Sequence, residues 1–419
     1  MSDETQKLNT YLPQTKKMID LEGESDSLEE TIDFTGTDGF SLAELQSLDF
    51  QSNQFVASSN HAERDSLLED DDRYSIESLL GKGGMGKVWK VADSELLRTV
   101  ALKMLHGNIR LDPYEMENFI VEAQLTSQLQ HPGIVPIYEL KTSGDGAVYF
   151  TMREIEGEIF RHKLQEVRRI SSKTEWKVTK DGWNFWRLIE VLKDICQTLS
   201  YAHSRGVIHR DLKPANIMIG EYGEVLLVDW GIAKLSTLGE TTFSGQTHVK
   251  VQASPEFIAR RKASVAGTLS YMAPEQIIGI YEEMGPRSDI YSLGVMLYEI
   301  LMGRKPFSGK QEEVIKQKLQ GDPVSILKQI SYLEQNGIEY RPIPFELAEI
   351  CWKCMQKSAK DRYQSTREVM VALQSWLDGS QKEEKVKQIL LEVKQKKSEI
   401  EMINSECNLI RLDLETKLQ

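Results

Sequence analysis

The residues best suited to chemistry lie close together in the second half of the chain. His209-Arg-Asp-Leu-Lys-Pro-Ala-Asn216 and then Val228-Asp-Trp-Gly231 supply a carboxylate (Asp211), an ammonium (Lys213), an amide (Asn216) and a second carboxylate (Asp229). Burying such groups unpaired costs several kcal/mol, so this pattern predicts a solvated, charged cleft rather than packed core. Upstream, Gly81-Lys-Gly83-Gly-Met-Gly86-Lys-Val88 fits a hairpin whose missing side chains let backbone amides approach phosphate oxygens. Alone it reads equally well as a plain turn. Lys103 ends the strand-like run Val100-Ala-Leu-Lys103, and Glu122 sits in the helical pattern Phe119-Ile-Val-Glu122-Ala. Each would pass for a surface residue in isolation; the order of all four segments sets them apart.

The elements that must position these groups change along the chain. From Tyr74, alternating runs such as Lys87-Val-Trp-Lys-Val91 and Thr99-Val-Ala-Leu-Lys-Met104, broken by glycine, predict an antiparallel sheet. Beyond about residue 185 helical periods dominate, as in Leu188–Tyr201, with short strands only near 216 to 228. Strands first and helices later predict a two-lobed α+β protein spanning 74–378. After Gly379, Val386, Ile389, Val393, Lys396, Ile400, Ile403, Cys407, Ile410, Leu414 and Lys417 alternate at spacings of three and four. That pattern predicts a coiled-coil helix over 383–419, and with it a homodimer or a partner helix. A long amphipathic helix folded back on the body is the alternative.

Composition sets further bounds. The 419 residues are 40% apolar and 27% charged, an ordinary globular balance. No run approaches the ~20 apolar residues a membrane span requires. The start, MSDETQ, lacks the basic and apolar blocks of a secretory signal, so we expect a soluble, cytoplasmic protein. The net charge of −13 is uneven: residues 1–72 hold 18 acids against 4 bases, leaving the remainder nearly neutral. Such a balance gives no support for a nucleic-acid partner, which needs a concentrated basic surface. The acidic segment 1–72 has few large apolar residues and is expected to be mostly disordered, apart from a short helix after the capping-box pattern Ser41-Leu-Ala-Glu44. Cys351 and Cys354 have zinc-like spacing but no second ligand pair, and sit in an apolar helical pattern that predicts structural thiols.

Taken in order and spacing, residues 74 to about 377 resemble a eukaryotic-type (Hanks-type) serine/threonine protein kinase, close in texture to the bacterial PknB-like members. Gln130-His-Pro-Gly-Ile-Val135, Tyr271-Met-Ala-Pro-Glu275-Gln, Ser288-Asp-Ile-Tyr-Ser-Leu-Gly294 and Lys360-Asp-Arg362-Tyr are similar to that family's other motifs. The resemblance implies a bilobal fold with an N-lobe antiparallel sheet plus one helix and a mainly helical C-lobe. It implies ATP and Mg²⁺ as cofactors, protein Ser/Thr hydroxyls as substrates, and a division of roles. Gly81, Gly83 and Gly86 would cover the phosphates, Val88 and Ala101 sandwich adenine, and Lys103 hold the α- and β-phosphates while pairing with Glu122. Met152 would be the gatekeeper, with Arg153, Glu154 and Ile155 as the hinge. Asn216 and Asp229 would hold metal, Asp211 would orient and deprotonate the acceptor hydroxyl, and Lys213 would neutralise the phosphoryl group. Asp289 would tie down the catalytic loop, and Glu275 would pair with Arg362 in a buried bridge.

Lys213 and the Gly267-Thr268 segment resemble the serine/threonine class. Trp230 departs from the family's usual Phe, bringing an indole N–H that must be satisfied. Arg210 is of the kind that receives a phosphate from the segment 229–275, where Ser264 is the favoured acceptor among several hydroxyls. Two other classes stay open: a catalytically silent scaffold of the same fold, and a small-molecule phosphotransferase. The complete set Lys103, Glu122, Asp211, Asn216 and Asp229 speaks against the first, and Glu275, Arg362 and Gly267-Thr268 against the second. Residues 159–185, with Trp176 and Trp183, and Trp186 just beyond, have no role readable from sequence.

Overall fold

A computed structural model describes residues 31–33, 73–83, 86–105, 112–143, 146–172, 174–235, 249–264, 266–321 and 325–418. Of the acidic segment 1–72 only a strand, β1 (Thr31–Asp33), is described, and the helix expected near 41–50 lies outside the described residues. The predicted antiparallel sheet is built from β2 (Tyr74–Lys82), β3 (Gly86–Asp93), β4 (Arg98–Leu105), β5 (Ile137–Thr142) and β6 (Val148–Met152), in the order β2-β3-β4-β6-β5. Alternation on these strands puts Trp89, Val91, Val100, Leu102 and Tyr149 into one cluster and leaves Lys103 on the opposite face, level with Val88 and Phe150.

Helix α1 (Pro113–Ser127) packs beneath this sheet. Its start is written in Asp112, whose carboxylate accepts from the Tyr114 N–H, and in Pro113 at the first helical position. Phe119 and Ala123 bury against Phe150, with the Phe119 and Phe150 rings 4.9 Å apart. This contact fixes the rotation of α1 and so the direction in which Glu122 faces.

The second lobe begins after β7 (Gly157–Ile159) with α2 (Phe160–Ile170) and α3 (Phe185–Ser204). Short strands follow: β8 (Val207–Ile208), β9 (Ile217–Gly220), β10 (Val225–Leu227) and β11 (Lys234–Leu235), then α4 (Pro255–Ala263) and β12 (Ala266–Thr268). The rest is helical: α5 (Pro274–Ile278), α6 (Pro286–Met302), α7 (Gln311–Gln320), α8 (Ile326–Gln335), α9 (Phe345–Cys354) and α10 (Thr366–Leu418). Helix α6 is buried on nearly all sides, as its run from Ile290 to Leu301 requires, and forms the axis of the larger core with α3 and α9. The Cys351 Sγ–H donates to the Gly294 carbonyl at 3.3 Å, and burial raises the Cys354 thiol to about 12, so both cysteines act as core residues.

Two features extend the sequence reading. The segment 159–185 is a staple: Trp176 stacks on Phe185 at 4.5 Å and donates its indole N–H to the Pro342 carbonyl, while Phe185 meets Trp376 of α10 edge-on. Trp186 donates to Ser380 of the same helix, so these aromatics tie α10 to the base of α3. Helix α10 then runs without a break through 378–383, where the sequence suggested a boundary. Val386, Ile389, Val393, Ile400 and Ile403 are exposed, so among the described side chains this stripe is not folded back on the body. Among the described residues, no helix is long and apolar enough to cross a membrane.

Candidate active site

The site assembles where the two lobes meet. On the sheet side, Gly81 pairs with Val88 and the Gly83 N–H donates to the Gly86 carbonyl, closing the glycine hairpin. Gly86 has a further reason to lack a side chain: a Cβ there would lie 2.2 Å from the Met104 carbonyl oxygen, so any other residue would push β3 off β4. Lys103 reaches α1 and donates to both oxygens of Glu122, at 2.7 and 2.9 Å. Burial opposes the Lys103 charge, but the Glu122 and Asp229 carboxylates outweigh it and hold the lysine above its ordinary value.

On the lower side, a hairpin explains how Asn216 and Asp229 come together. Strands β9 and β10 pair Ile217 with Leu227, and the Val228 N–H donates to the Asn216 carbonyl at 3.0 Å. The His209 ring tightens this link. Its Nδ1 accepts from the Asp211 N–H, leaving Nε2 to donate to the Val228 carbonyl at 3.2 Å. Asn216 donates to the Asp211 carbonyl and carboxylate at 2.9 and 3.1 Å. Asp211, Asn216 and the approach to Asp229 are therefore one hydrogen-bonded unit.

Asp211 is buried, contrary to the solvated cleft expected from sequence, and its partners are the reason this is tolerable. Lys213 Nζ lies 2.9 Å from one oxygen, and Thr268 gives its N–H and hydroxyl to the other, each at 2.8 Å. Burial alone would raise the Asp211 pKa, but Lys213 and Thr268 together bring it below the ordinary carboxylate value, so the group is ionised at neutral pH. Lys213 also donates to Thr268 Oγ1 at 2.8 Å, which joins the two positions singled out for substrate class.

Beneath this unit, Asp289 is fully buried. It accepts from the His209 and Arg210 N–H groups at 3.0 and 2.9 Å and bonds His203 Nε2 at 2.7 Å. Arg210 and Asp229 both have positive φ, 72° and 64°, a strain that the surrounding bonds must hold. Gln276, not anticipated from sequence, accepts from the Ala273 N–H and donates to the Arg210 carbonyl at 2.8 Å. Arg261, which in sequence reads with Arg260 and Lys262 as a basic run that could draw acidic groups, is buried and joins Asn118 of α1 to the Gly231 and Ala233 carbonyls at 2.8, 2.7 and 2.8 Å. The Trp230 indole N–H finds the Leu227 carbonyl at 3.2 Å, so the larger ring is accommodated.

Between the lobes, Met152 and Ile155 pack on Val135, Met218 and Leu226 to make an apolar floor, with Ala101 paired to Met152 across the sheet. The Arg153 N–H is taken by the Pro136 carbonyl at 3.1 Å, which leaves the hinge expectation to Glu154, Ile155 and the Arg153 carbonyl. Glu154 pairs with Lys90 at 2.8 Å. Arg210, by contrast, has Nε and one terminal nitrogen buried with no hydrogen-bond partner. Burial and the neighbouring Arg261 lower it to about 10, and burial and Arg210 lower Lys234 to about 8. That cluster is a place where an anion would be stabilised. Ser264 is buried and donates to the Arg261 carbonyl at 3.0 Å, and Ser254 caps α4, so both hydroxyls have structural partners; the candidates from 236 to 247 lie outside the described residues.

The donor set fits a hard cation bound with phosphate. Asn216 and Asp229 offer oxygen, and among the described residues no group of three or more His, Cys, Asp or Glu could hold a metal ion by itself. Mg²⁺ typically takes one or two protein oxygens and completes its shell with water and phosphate.

Comparison with known proteins agrees with this geometry. Residues 74–376 match the model of the protein kinase domain. The chain is 35% identical over 335 residues to the serine/threonine-protein kinase PknD of Protochlamydia amoebophila, covering 78% of this chain and 32% of that protein. It is 34% identical over 314 residues to PknD of Chlamydia trachomatis serovar L2b, and 33% identical over 308 residues to PknD of Chlamydia caviae, covering 73% and 74% of this chain. It spans about a third of the length of these curated relatives, 32% and 31% for the latter two.

Proposed function

The chain belongs to the protein kinase family, and from that membership we propose that it transfers the γ-phosphoryl group of ATP to serine or threonine hydroxyls of proteins. The observation that carries the reading is the joined network around Asp211, with Lys213 and Thr268 on one side and Asn216 on the other. Phosphoryl transfer asks mainly for positioning and charge neutralisation, because the transition state spreads negative charge over equatorial oxygens.

In this reading Gly81, Gly83 and Gly86 cover the phosphates, while Val88, Ala101, Met152 and the hinge hold adenine. Lys103, kept charged by Glu122, binds phosphate oxygens. Asn216 and Asp229 would hold Mg²⁺, which when bound supplies Lewis-acid neutralisation of the phosphates. Asp211, ionised and held by Thr268, orients the acceptor hydroxyl and takes its proton. Lys213 lies close enough to Asp211 to balance that charge and then the transferring group. Phosphate entering the Arg210 and Lys234 cluster from the segment 229–275 would be a regulatory input, and the exposed stripe of α10 a coiled-coil seam for a second copy.

The test is labelled ATP, Mg²⁺ and a generic basic protein, run with the full chain and with Lys103→Met and Asp211→Ala variants. Labelling by the parent chain alone supports the reading. Equal labelling by all three, or by none, rejects it.

A further inference from the structure

Between β12 and α5 the chain makes a turn on which the site depends. Thr268 opens it, giving its N–H and hydroxyl to Asp211 at 2.8 Å each, while its carbonyl accepts from the N–H groups of Tyr271 and Met272 at 2.9 and 3.0 Å. Thr268 is therefore placed no better than the turn is. Residues 269–273 belong to neither strand nor helix, so their carbonyls need partners from elsewhere in the fold. Side chains of two helices supply them. Ser292 of α6 donates its hydroxyl to the Tyr271 carbonyl at 2.9 Å, and Lys318 of α7 gives Nζ to the carbonyls on either side, those of Ser270 and Met272, at 2.8 and 2.7 Å.

Lys318 is an unusual residue to find here. It is 2% exposed, and its Nζ lies over the Tyr291 and Phe307 rings, 5.2 and 5.3 Å from their centroids. Burying an ammonium is costly, and burial pushes the Lys318 pKa well below the ordinary lysine range. A methionine would fill the same place without that cost, so packing does not account for the lysine. The two carbonyls do. Both protonation states serve them, since the ammonium has three N–H donors and the neutral amine two, one for each carbonyl.

We propose that Lys318 is a positioning residue for phosphoryl transfer to protein: it fixes the turn 268–272 and, through Thr268, the direction in which the Asp211 carboxylate meets the acceptor hydroxyl. This rests on the kinase reading above. One nitrogen bound to two carbonyls sets the distance between them, so the turn keeps a single shape. Without it, those carbonyls must move to find other donors, and Thr268 moves with the turn. A misplacement of about 1 Å at a reacting pair can cost on the order of 100-fold in rate. Lys103 and the glycine hairpin stand on the other lobe, so the nucleotide should bind as before.

The experiment uses the full chain with labelled ATP, Mg²⁺ and a basic protein, and measures kcat and the KM for ATP. Lys318→Met should lower kcat at least ~10-fold and leave the KM for ATP within about twofold. Lys318→Arg keeps donors for both carbonyls and should hold kcat within about threefold of the parent. Tryptophan fluorescence checks that each variant is folded; if the methionine variant is not, Lys318→Gln takes its place in the same comparison. Thr268→Ala supplies a second leg. On that background Lys318→Met should cost at least ~3-fold less than in the parent, because effects passed through one group do not add. A folded Lys318→Met with unchanged kcat would overturn the proposal. So would equal losses on both backgrounds, or an arginine variant as impaired as the methionine one, since either result belongs to packing alone. A parent chain that labels nothing would place the failure in the kinase reading, and the role of Lys318 would fall with it.

Discussion

Replacing Arg362 with methionine should cost about 3–5 kcal/mol, because it removes a guanidinium whose every N–H is used and strands the carboxylate it neutralises. Arg362 has almost no exposure. Its two terminal nitrogens reach the two oxygens of Glu275 at 2.7 and 2.9 Å, and the remaining donors go to the carbonyls of Gln356, Arg287 and Lys357 at 2.7, 2.8 and 3.0 Å. Methionine fills similar volume but satisfies none of these five acceptors. Glu275, itself buried, would keep only the Ser288 hydroxyl at 2.8 Å. Because the penalty is mainly an uncompensated charge, the double variant Arg362→Met with Glu275→Gln should recover at least ~1 kcal/mol relative to Arg362→Met alone. Urea unfolding followed by tryptophan fluorescence measures both quantities, and m must stay constant for the comparison to hold. A single-variant loss below ~1 kcal/mol, or strict additivity in the cycle, would show that the bridge is not what joins α5 to the base of the lobe.

Three further outcomes follow from the same structure. Burial raises the Asp289 pKa, but its bonds to His203 and to the His209 and Arg210 N–H groups lower it more, so the native value lies below the unfolded one. Its stabilisation is therefore complete above the ordinary carboxylate value near ~4 and lost as pH falls through the native pKa; Asp289→Asn should flatten this acid limb in pH-dependent unfolding, and an unchanged limb would refute it. Lys234 has the same sign in a higher window: with a native pKa of about 8, the unfolded chain binds the extra proton between there and ~10.4. The stability difference between the parent chain and Lys234→Met should thus grow in favour of the parent across that window, and a flat difference would argue that the lysine is solvated. Deleting residues 383–419 should abolish self-association in analytical ultracentrifugation while leaving basic-protein labelling within about twofold, and an unchanged mass would remove the coiled coil.

How much of this was legible in sequence depended on the range over which each residue acts. Asn216 and Asp229 could be read because a single β9-β10 hairpin joins them, and Asp211 because it precedes Asn216 closely enough to bond its amide, so the spacing is set locally. Lys103 and Glu122 could be read as a pair only through order; in the structure the lysine donates to both oxygens of the glutamate. The contacts of Arg261 and Gln276 were not legible, since an arginine in the basic run Arg260-Arg-Lys262, which reads as a place to draw acidic groups, and a glutamine two residues past a proline carry no local sign that they will reach the Gly231 and Arg210 carbonyls. The tryptophans near 159–185 failed for the same reason: Trp176 and Trp186 meet partners at Pro342 and Ser380, far along the chain. The cleft expected to be wet is drier than its composition suggested, because pairing among Asp211, Lys213 and Thr268 replaces water.

Helix α10 has one more implication. Its 53 residues at a rise of 1.5 Å make a rod of about 80 Å, clamped at its root by Trp376 and Ser380 and unbroken beyond. A rod without a hinge has a rotational phase: each residue turns the distal apolar stripe by about 100° relative to the catalytic cleft. Whatever docks on Val386, Ile389 and Val393 would therefore dictate which way the cleft points, so the angular setting of the cleft relative to any such partner would be encoded in the count of residues.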